Sequence, residues 1–229
     1  MRILSIDCGN KSLGVCLYEA DPDFLNDFFA DNPLNKPIIH FVDSYNLIPE
    51  CKKVTDSDIL TRTARLKAAL DHIMKRAKGP VTDVLIEYQM VHNNKTSAQS
   101  SQIIMYFTKP DYNFEYNEIA PKQPKIIPVA PNIHIVKPTH KNQISYGGIK
   151  HYTYIAKYAG LEAANKAHCK AMFAQYCEDM KLDYHLKCKP AVLRDLADAF
   201  CQALAWYIKV TIAATKISNY KIWLKQIEK

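Results

Sequence analysis

Four acidic residues in this sequence lie at the ends of apolar runs or within an apolar segment, so their carboxylates would be buried at a cost. Asp7 and Glu87 each lie at the end of a short apolar run. Asp195 and Asp198 are three residues apart in a strongly apolar segment, so they share one face of the helix predicted there. Unpaired buried charges are unfavourable and like charges repel one another, so a cation is expected among these acids.

The cation that suits such a group is Mg²⁺, because it prefers hard oxygen ligands. Two metal ions about 4 Å apart can activate a water molecule and stabilise the departing oxygen in phosphodiester cleavage. Each acid alone has an ordinary explanation. Asp7 can be a turn residue before Gly9, Glu87 can mark a strand edge, and the helical pair can be a solvated face partnered by Arg194. The combination favours a metal-dependent nuclease centre more than any single acid does.

The elements that must position these acids follow from the hydrophobic pattern. Strands before a strand–helix alternation predict an α/β fold. The 229 residues are expected to form one domain with a Pro/Lys-rich insertion at about 109–160, in which 139–160 is a mobile loop. The predicted strands cover 2–8, 12–19, 38–47, 82–88 and 132–138, and the predicted helices cover about 58–78, 95–107, 162–182, 191–209 and 211–228.

Composition narrows the class of protein. The chain is 48% hydrophobic and carries a formal net charge of +7, which favours a polyanionic partner without requiring one. Its seven cysteines include no C-x-x-C pair, which is typical of reduced thiols in a cytoplasmic or nuclear compartment. No run of about 18 apolar residues predicts a membrane span, and the first residues do not resemble a signal peptide.

Three segments resemble one family. SIDCGNKSLG resembles the first-strand Asp-x-Gly motif of ribonuclease H-like nucleases, and VLIEYQ resembles their glutamate strand. LRDLADAFCQALAW resembles the terminal D-x-x-D helix of RuvC-type Holliday junction resolvases. Similarity to the poxvirus branch rests on Gln89, two residues after Glu87, and on Phe200, two residues after the final acid.

This resemblance implies a ribonuclease H-like fold, with a mixed central sheet flanked by helices. It also implies a homodimer that nicks four-way DNA junctions with Mg²⁺, for which Mn²⁺ would substitute, and without a nucleotide cofactor. The expected roles are DNA recombination and repair, at viral replication sites if the protein is viral. The implied catalytic and metal-binding residues are Asp7, Glu87, Asp195 and Asp198.

Basic residues supply the expected DNA surface. Between residues 119 and 177 the only acid is Glu162, while lysines and tyrosines recur. Lysines neutralise phosphates and aromatic rings stack on unpaired bases, although a solvated lysine loop would show the same pattern. RuvC-type enzymes also use basic residues near the site. The candidate DNA contacts are Lys11, Lys141, Lys150, Lys157, Lys166, His168 and Lys170, and the candidate stacking residues are Tyr146, Tyr152, Tyr154 and Tyr158.

Other functions remain open at this stage. A ribonuclease H-like nuclease could act on other branched DNA or on RNA–DNA hybrids, and a non-catalytic relative could bind DNA without cutting it. The Asp-x-Gly hairpin also begins actin-like ATPases, but these need two such domains and a glycine-rich adenosine motif. With six glycines in the chain, the sequence argues against that class.

Overall fold

A computed structural model describes most of the chain. It covers residues 1–9, 11–20, 38–50, 53, 57–88, 94–108 and 130–214. The predictions for Gln89, for residues 109–129 and for the chain beyond 214 lie outside this range. Among the described helices, none combines the length and apolarity needed to span a bilayer.

A mixed five-stranded sheet forms the centre of the domain. Its strands are β1 (Arg2–Cys8), β2 (Ser12–Glu19), β3 (Ile38–Asn46), β4 (Asp83–Glu87) and β5 (Asn132–Val136). Their spatial order is β3-β2-β1-β4-β5, with β1, β2 and β3 antiparallel and β1, β4 and β5 parallel. The parallel strands therefore all end at one edge of the sheet, and this edge is called the carboxyl edge below.

Within the residues that the structure describes, six α-helices and a short 3-10 helix accompany the sheet. They are α1 (Ile59–Ala77), α2 (Asn94–Thr108), the 3-10 helix (Pro138–Asn142), α3 (His151–Lys157), α4 (Leu161–Asp179), α5 (Tyr184–Lys187) and α6 (Pro190–Ala214). The α/β class and the strands and long helices predicted within the described residues are confirmed. The predicted mobile loop at 139–160 instead contains the 3-10 helix and α3, and the strand predicted within the insertion is the edge strand β5.

Local sequence explains where the elements begin and end. Asp58 caps α1, since its carboxylate accepts hydrogen bonds from the backbone N–H groups of Leu60 and Thr61 at 3.2 and 2.8 Å. The helix ends at Lys78, which adopts a left-handed φ of 50° just before Gly79.

The two faces of the sheet are covered by different helices. Side chains alternate between faces along a strand, so Leu4 and Ile6 pack with α1 and α2 while Ile3 packs with α4 and α6. In β4, Leu85 likewise joins the α4/α6 side. Alternation places Ser5 and Asp7 on that same side of β1, beneath α6.

Candidate active site

Asp7 and Glu87 meet because their strands are parallel neighbours. The register aligns Ile6 with Ile86, so the two acids follow one residue later on the same face at the carboxyl edge. Their carboxyl groups are within hydrogen-bonding reach of each other. The sequence prediction that these two strand-terminal acids come together is thus confirmed as a matter of position.

The last helix brings the other two acids to the same edge. Helix α6 packs across β1 and β2 and presents Asp195 and Asp198 toward the sheet. Both side chains are mostly buried, with 13% and 14% of their surface exposed. Asp195 and Asp198 each lie close enough to Asp7 for the acids to repel one another. Four acids from three elements therefore gather at one edge.

A buried lysine is the counterion of this acid cluster. The ammonium Nζ of Lys141 lies 3.3 Å from Oε2 of Glu87 and 3.3 Å from Oδ1 of Asp198. Burial lowers the pKa of Lys141, but the combined field of Asp7, Asp198 and Glu87 outweighs burial and raises that pKa above its ordinary value. Lys141 was predicted as a DNA contact, whereas the structure places it inside the acid cluster.

Topology explains the position of Lys141. It lies in the 3-10 helix directly after β5, the third parallel strand, so it emerges at the same carboxyl edge as Asp7 and Glu87. The 3-10 helix also contacts α4 and α6. Because the sequence does not show that β5 lies beside β4, it gave no signal that Lys141 would meet the acids.

One ammonium does not offset all the negative charge. Burial and the hydrogen bond with Glu87 raise the pKa of Asp7 well above its ordinary value, and the opposing effect of Lys141 is smaller. Burial also raises the pKa of Asp198, against the lowering effect of Lys141. By accessible surface Asp7 is only half-buried, but its carboxyl group is densely surrounded by protein atoms. The cluster therefore favours additional positive charge.

The donor set is chemically suited to a hard divalent cation, although it is not arranged as a finished metal site. Within the described ranges, no group of three or more His, Cys, Asp and Glu side chains has the spacing of a metal centre. Instead, the Lys141 ammonium bridges Glu87 and Asp198. The carboxylate oxygens match the preference of Mg²⁺, so the acids fit the ion if the ammonium moves aside.

Sequence reasoning did not single out two serines that contact Asp195. Ser12 Oγ donates to Asp195 Oδ2 at 2.6 Å, and Ser44 Oγ donates to the same oxygen at 3.2 Å. Both serines lie on strands that contact α6. Serine is common in turns and strands of every protein, so its type alone gave no indication of this role.

The remaining predicted DNA contacts occupy varied positions. Lys11 is exposed in the turn after β1, and Lys157 is exposed at the end of α3. Lys150 lies over the ring of Tyr152 at 5.8 Å, and Lys166 pairs with Glu162. Lys170 lies one turn after Lys166 on α4 and is partly exposed.

His168 is not placed where DNA could reach it, which corrects its prediction as a DNA contact. It belongs to the buried stripe of α4 and contacts the rings of His151 and Tyr154. Burial, together with His151, lowers the pKa of His168 to about 4, so the ring is neutral near pH 7.

The candidate stacking residues divide in the same way. Tyr146 is buried and donates to Asp179 at 2.8 Å, and Tyr154 packs against His168. Tyr152 and Tyr158 are exposed, with 61% and 39% of their surfaces accessible. Tyr158 stacks on Tyr154 and Lys150 lies over Tyr152, but both tyrosines keep exposed ring surface, whereas Tyr146 does not.

Comparison with known proteins gives similarity in structure alone. No protein-family model matches the sequence, and no curated protein is similar to it. The yeast mitochondrial Holliday junction resolvase Ydc2 is similar over 98% of this chain and 85% of its own, with a TM-score of 0.52 and 16% identity. RuvC of Thermus thermophilus is similar over 92% of this chain and 98% of its own, with a TM-score of 0.50 and 12% identity.

A poxvirus protein is also among the similar structures. The fowlpox virus resolvase in complex with Holliday junction DNA covers 92% of this chain and 99% of its own, with a TM-score of 0.47 and 14% identity. These values do not single out the poxvirus branch. Together with the mixed five-stranded sheet, the likeness to Ydc2 and RuvC confirms the ribonuclease H-like fold.

Proposed function

We propose that this protein is a Holliday junction resolvase, an Mg²⁺-dependent endonuclease that nicks four-way DNA junctions symmetrically as a homodimer. The observation that carries the proposal is the acid cluster at the carboxyl edge, where three elements bring four carboxyl groups together and the buried Lys141 ammonium contacts two of them. The shared fold with a yeast mitochondrial Holliday junction resolvase supports the choice of substrate. A homodimer follows from the need for two symmetric nicks.

In this proposal Asp7, Glu87, Asp195 and Asp198 hold the metal. Bound Mg²⁺ supplies an activated water and stabilises the leaving 3′ oxygen, with Mn²⁺ as a substitute. Two of the acids are at the ends of strands and two are on a packed helix, so the fold holds all four in place before the ion binds.

Two features of the cluster limit repulsion among the acids when no metal ion is bound. The raised pKa of Asp7 means that its carboxyl group retains a proton more readily than an ordinary aspartate does, and this limits repulsion with Glu87. The Lys141 ammonium offsets part of the remaining charge. A divalent cation held by the acids would supply positive charge that Lys141 now provides at Glu87 and Asp198.

The proposed DNA surface consists of the exposed and partly exposed lysines. These side chains would neutralise backbone phosphates without reading sequence, so binding should depend strongly on salt. The exposed Tyr152 and Tyr158 would stack on bases that are unpaired at the junction. The lysines assigned to this surface are Lys11, Lys150, Lys157, Lys166 and Lys170.

The test is cleavage of a labelled four-way junction beside a linear duplex of the same sequence, with Mg²⁺ or with EDTA. We expect cuts in the junction alone, and only with the metal. Asp7→Asn and Asp198→Asn should abolish cleavage while junction binding, measured by gel shift, persists. Glu178→Gln, which changes an exposed acid at the end of α4, is the matched control and should cut normally.

Other outcomes would point to other functions. Preferential cleavage of an RNA–DNA hybrid would replace the junction as substrate but keep the metal-dependent nuclease. Junction binding without cleavage by the wild-type protein would indicate a non-catalytic relative. Full cleavage by Asp7→Asn or Asp198→Asn would remove the acid cluster from the mechanism.

A further inference from the structure

Gly14 is the point at which α6 rests on the sheet. A Cβ atom at residue 14 would lie 2.5 Å from the carbonyl oxygen of Asp195, so only glycine allows this approach. Gly14 is the strand partner of Asp7 on one side and of Ser44 on the other. Directly opposed residues share a face of the sheet, so this row across three strands lies under the start of the acid-bearing turn of α6.

The close approach brings two hydroxyl groups to one carboxylate. Ser12 lies two residues before Gly14 and therefore on the same face, and Ser44 is opposite Gly14 on β3. Both donate to Asp195 Oδ2, at 2.6 and 3.2 Å. A carboxylate oxygen held by two donors from two strands has a fixed orientation.

The other oxygen of Asp195 is used differently. Oδ1 has the guanidinium Nε of Arg194 at 3.6 Å, and the Arg194 side chain is 46% exposed. A pair with an exposed partner is weak. The hydroxyl groups therefore hold the oxygen Oδ2 of Asp195 against the sheet, and a metal ion can take the other oxygen, Oδ1.

We propose that Ser12 and Ser44 are positioning residues for Asp195, which they orient for metal binding. This inference rests on the proposed function, because it assigns Asp195 to the metal. The serines act through the aspartate rather than on the DNA. Groups that hydrogen-bond to a metal ligand and fix its orientation typically contribute 10- to 100-fold to metal affinity or activity.

Ser5 offers a matched comparison. It lies on the same face of β1 as Asp7 and is fully buried, and its hydroxyl has no hydrogen-bond partner within the described part of the chain. If serines near α6 served only to keep side chains small, Ser5, Ser12 and Ser44 would be equivalent. The contacts with Asp195 make Ser12 and Ser44 different.

The test measures metal binding as well as cleavage. Mn²⁺ binding to the full chain is measured by the loss of the free-ion signal in electron paramagnetic resonance, without DNA. Ser12→Ala with Ser44→Ala should weaken Mn²⁺ binding by about 10-fold or more and reduce junction cleavage in proportion. Ser12→Thr with Ser44→Thr keeps both hydroxyl groups and should restore most of the binding.

Control variants separate positioning from folding. Ser5→Ala should leave Mn²⁺ affinity unchanged. Urea unfolding of every variant in EDTA shows whether a loss of binding merely reflects loss of fold, and the threonine variant must bind better than the alanine variant at equal stability. Equal Mn²⁺ affinity of the alanine double variant and the wild type would overturn the inference while the nuclease remains. Absence of Mn²⁺ binding by the wild type would instead overturn the metal-dependent function, and this inference with it.

Discussion

The α1/α2 face of the central sheet carries apolar packing, whereas the α4/α6 face combines an apolar cluster with the acids. On the α1/α2 face, Leu4 and Ile6 pack into an apolar cluster with Leu70 and Ile73. On the α4/α6 face, the alternate residue Asp7 joins a charged cluster. A step of one residue along β1 therefore separates packing from chemistry, because side chains alternate with a period of two.

The difference shows which face depends on a balance of charges. The apolar face gains from burial alone, at about 25 cal/mol per Å². In the acid cluster, burial and repulsion between the carboxyl groups raise the pKa values of Asp7 and Asp198, and Lys141 acts against both effects. The two faces should consequently respond to different perturbations.

The largest effect is expected from Lys141→Met. This change keeps most of the length of the side chain but removes the ammonium that contacts Glu87 and Asp198. Loss of one partner from a buried ionic cluster leaves uncompensated charge and typically costs 3–5 kcal/mol, so we expect a decrease of about 4 kcal/mol in the free energy of unfolding. Urea unfolding at pH 7 in EDTA measures it.

Two further variants sharpen this prediction. Adding Asp7→Asn to Lys141→Met removes one of the repelling acids and should recover part of the loss. Lys157→Met changes an exposed lysine and should stay within about 0.5 kcal/mol. If Lys141→Met lowered the free energy of unfolding no more than Lys157→Met does, the acids would not need the Lys141 ammonium as a counterion.

The apolar face should respond to volume instead of charge. Ile73→Ala removes a fully buried side chain from α1 and should lower the free energy of unfolding by about 3 kcal/mol, from lost transfer energy and the cavity left behind. Because Ile73 is on the face away from the acids, junction cleavage per folded molecule should be unchanged. A specific loss of cleavage at full folding would mean that the two faces are not separate.

The sequence was sufficient to predict much of this arrangement. Asp7 and Glu87 each end an apolar run, and parallel strands end at one edge, so their meeting needed only strand order. The pair Asp195 and Asp198 needed only the helical period. These inferences depend on local periodicity, which the sequence shows directly.

Other contacts depend on tertiary structure that periodicity does not contain. The position of Lys141 depends on β5 being adjacent to β4, and Ser44 reaches Asp195 only because β3 pairs with β2 opposite Gly14. His168 is a case in which a better use of the helical period was possible. It falls in the apolar stripe of α4 with Cys169 and Met172, whereas Lys166 and Lys170 lie outside that stripe.

A change in pH acts through His168 on the α4/α6 side, where we expect an effect of intermediate size on the free energy of unfolding. Its folded pKa of about 4 lies below its ordinary 6.5, so the unfolded chain takes up the proton first as the pH falls. The contribution to stability is complete above pH 6.5 and is lost progressively between pH 6.5 and 4. One pH unit corresponds to at most about 1.4 kcal/mol, and the unfolded histidine is only half protonated at pH 6.5, so about 1.5 kcal/mol should disappear between pH 6.5 and 5.

The measurement compares unfolding curves of the wild type and His168→Gln across that range. The variant lacks the titrating group, so the difference in the free energy of unfolding between wild type and variant should shrink as the pH falls. His72→Gln changes an exposed histidine on α1 and serves as the control. A constant difference between wild type and His168→Gln would mean that His168 is protonated as readily in the folded state as in the unfolded chain.

The smallest effect tests whether DNA binds on the α4/α6 side. Lys150→Ala and Lys157→Ala each remove one proposed phosphate contact, so each should lower the slope of log affinity against log salt concentration by about 1 and weaken binding modestly. Lys67→Ala is the control, because Lys67 is a 66% exposed lysine on α1, on the opposite side of the sheet.

The slopes are measured by the fluorescence anisotropy of a labelled junction at several salt concentrations, with each lysine variant made in a catalytically inactive background. If Lys67→Ala lowered the slope as much as Lys157→Ala, the DNA would be held by general charge and the two sides of the sheet would not differ in binding. If Lys150→Ala and Lys157→Ala lowered the slope and Lys67→Ala did not, the DNA phosphates would lie on the side that carries the acids, where a scissile phosphate has to lie.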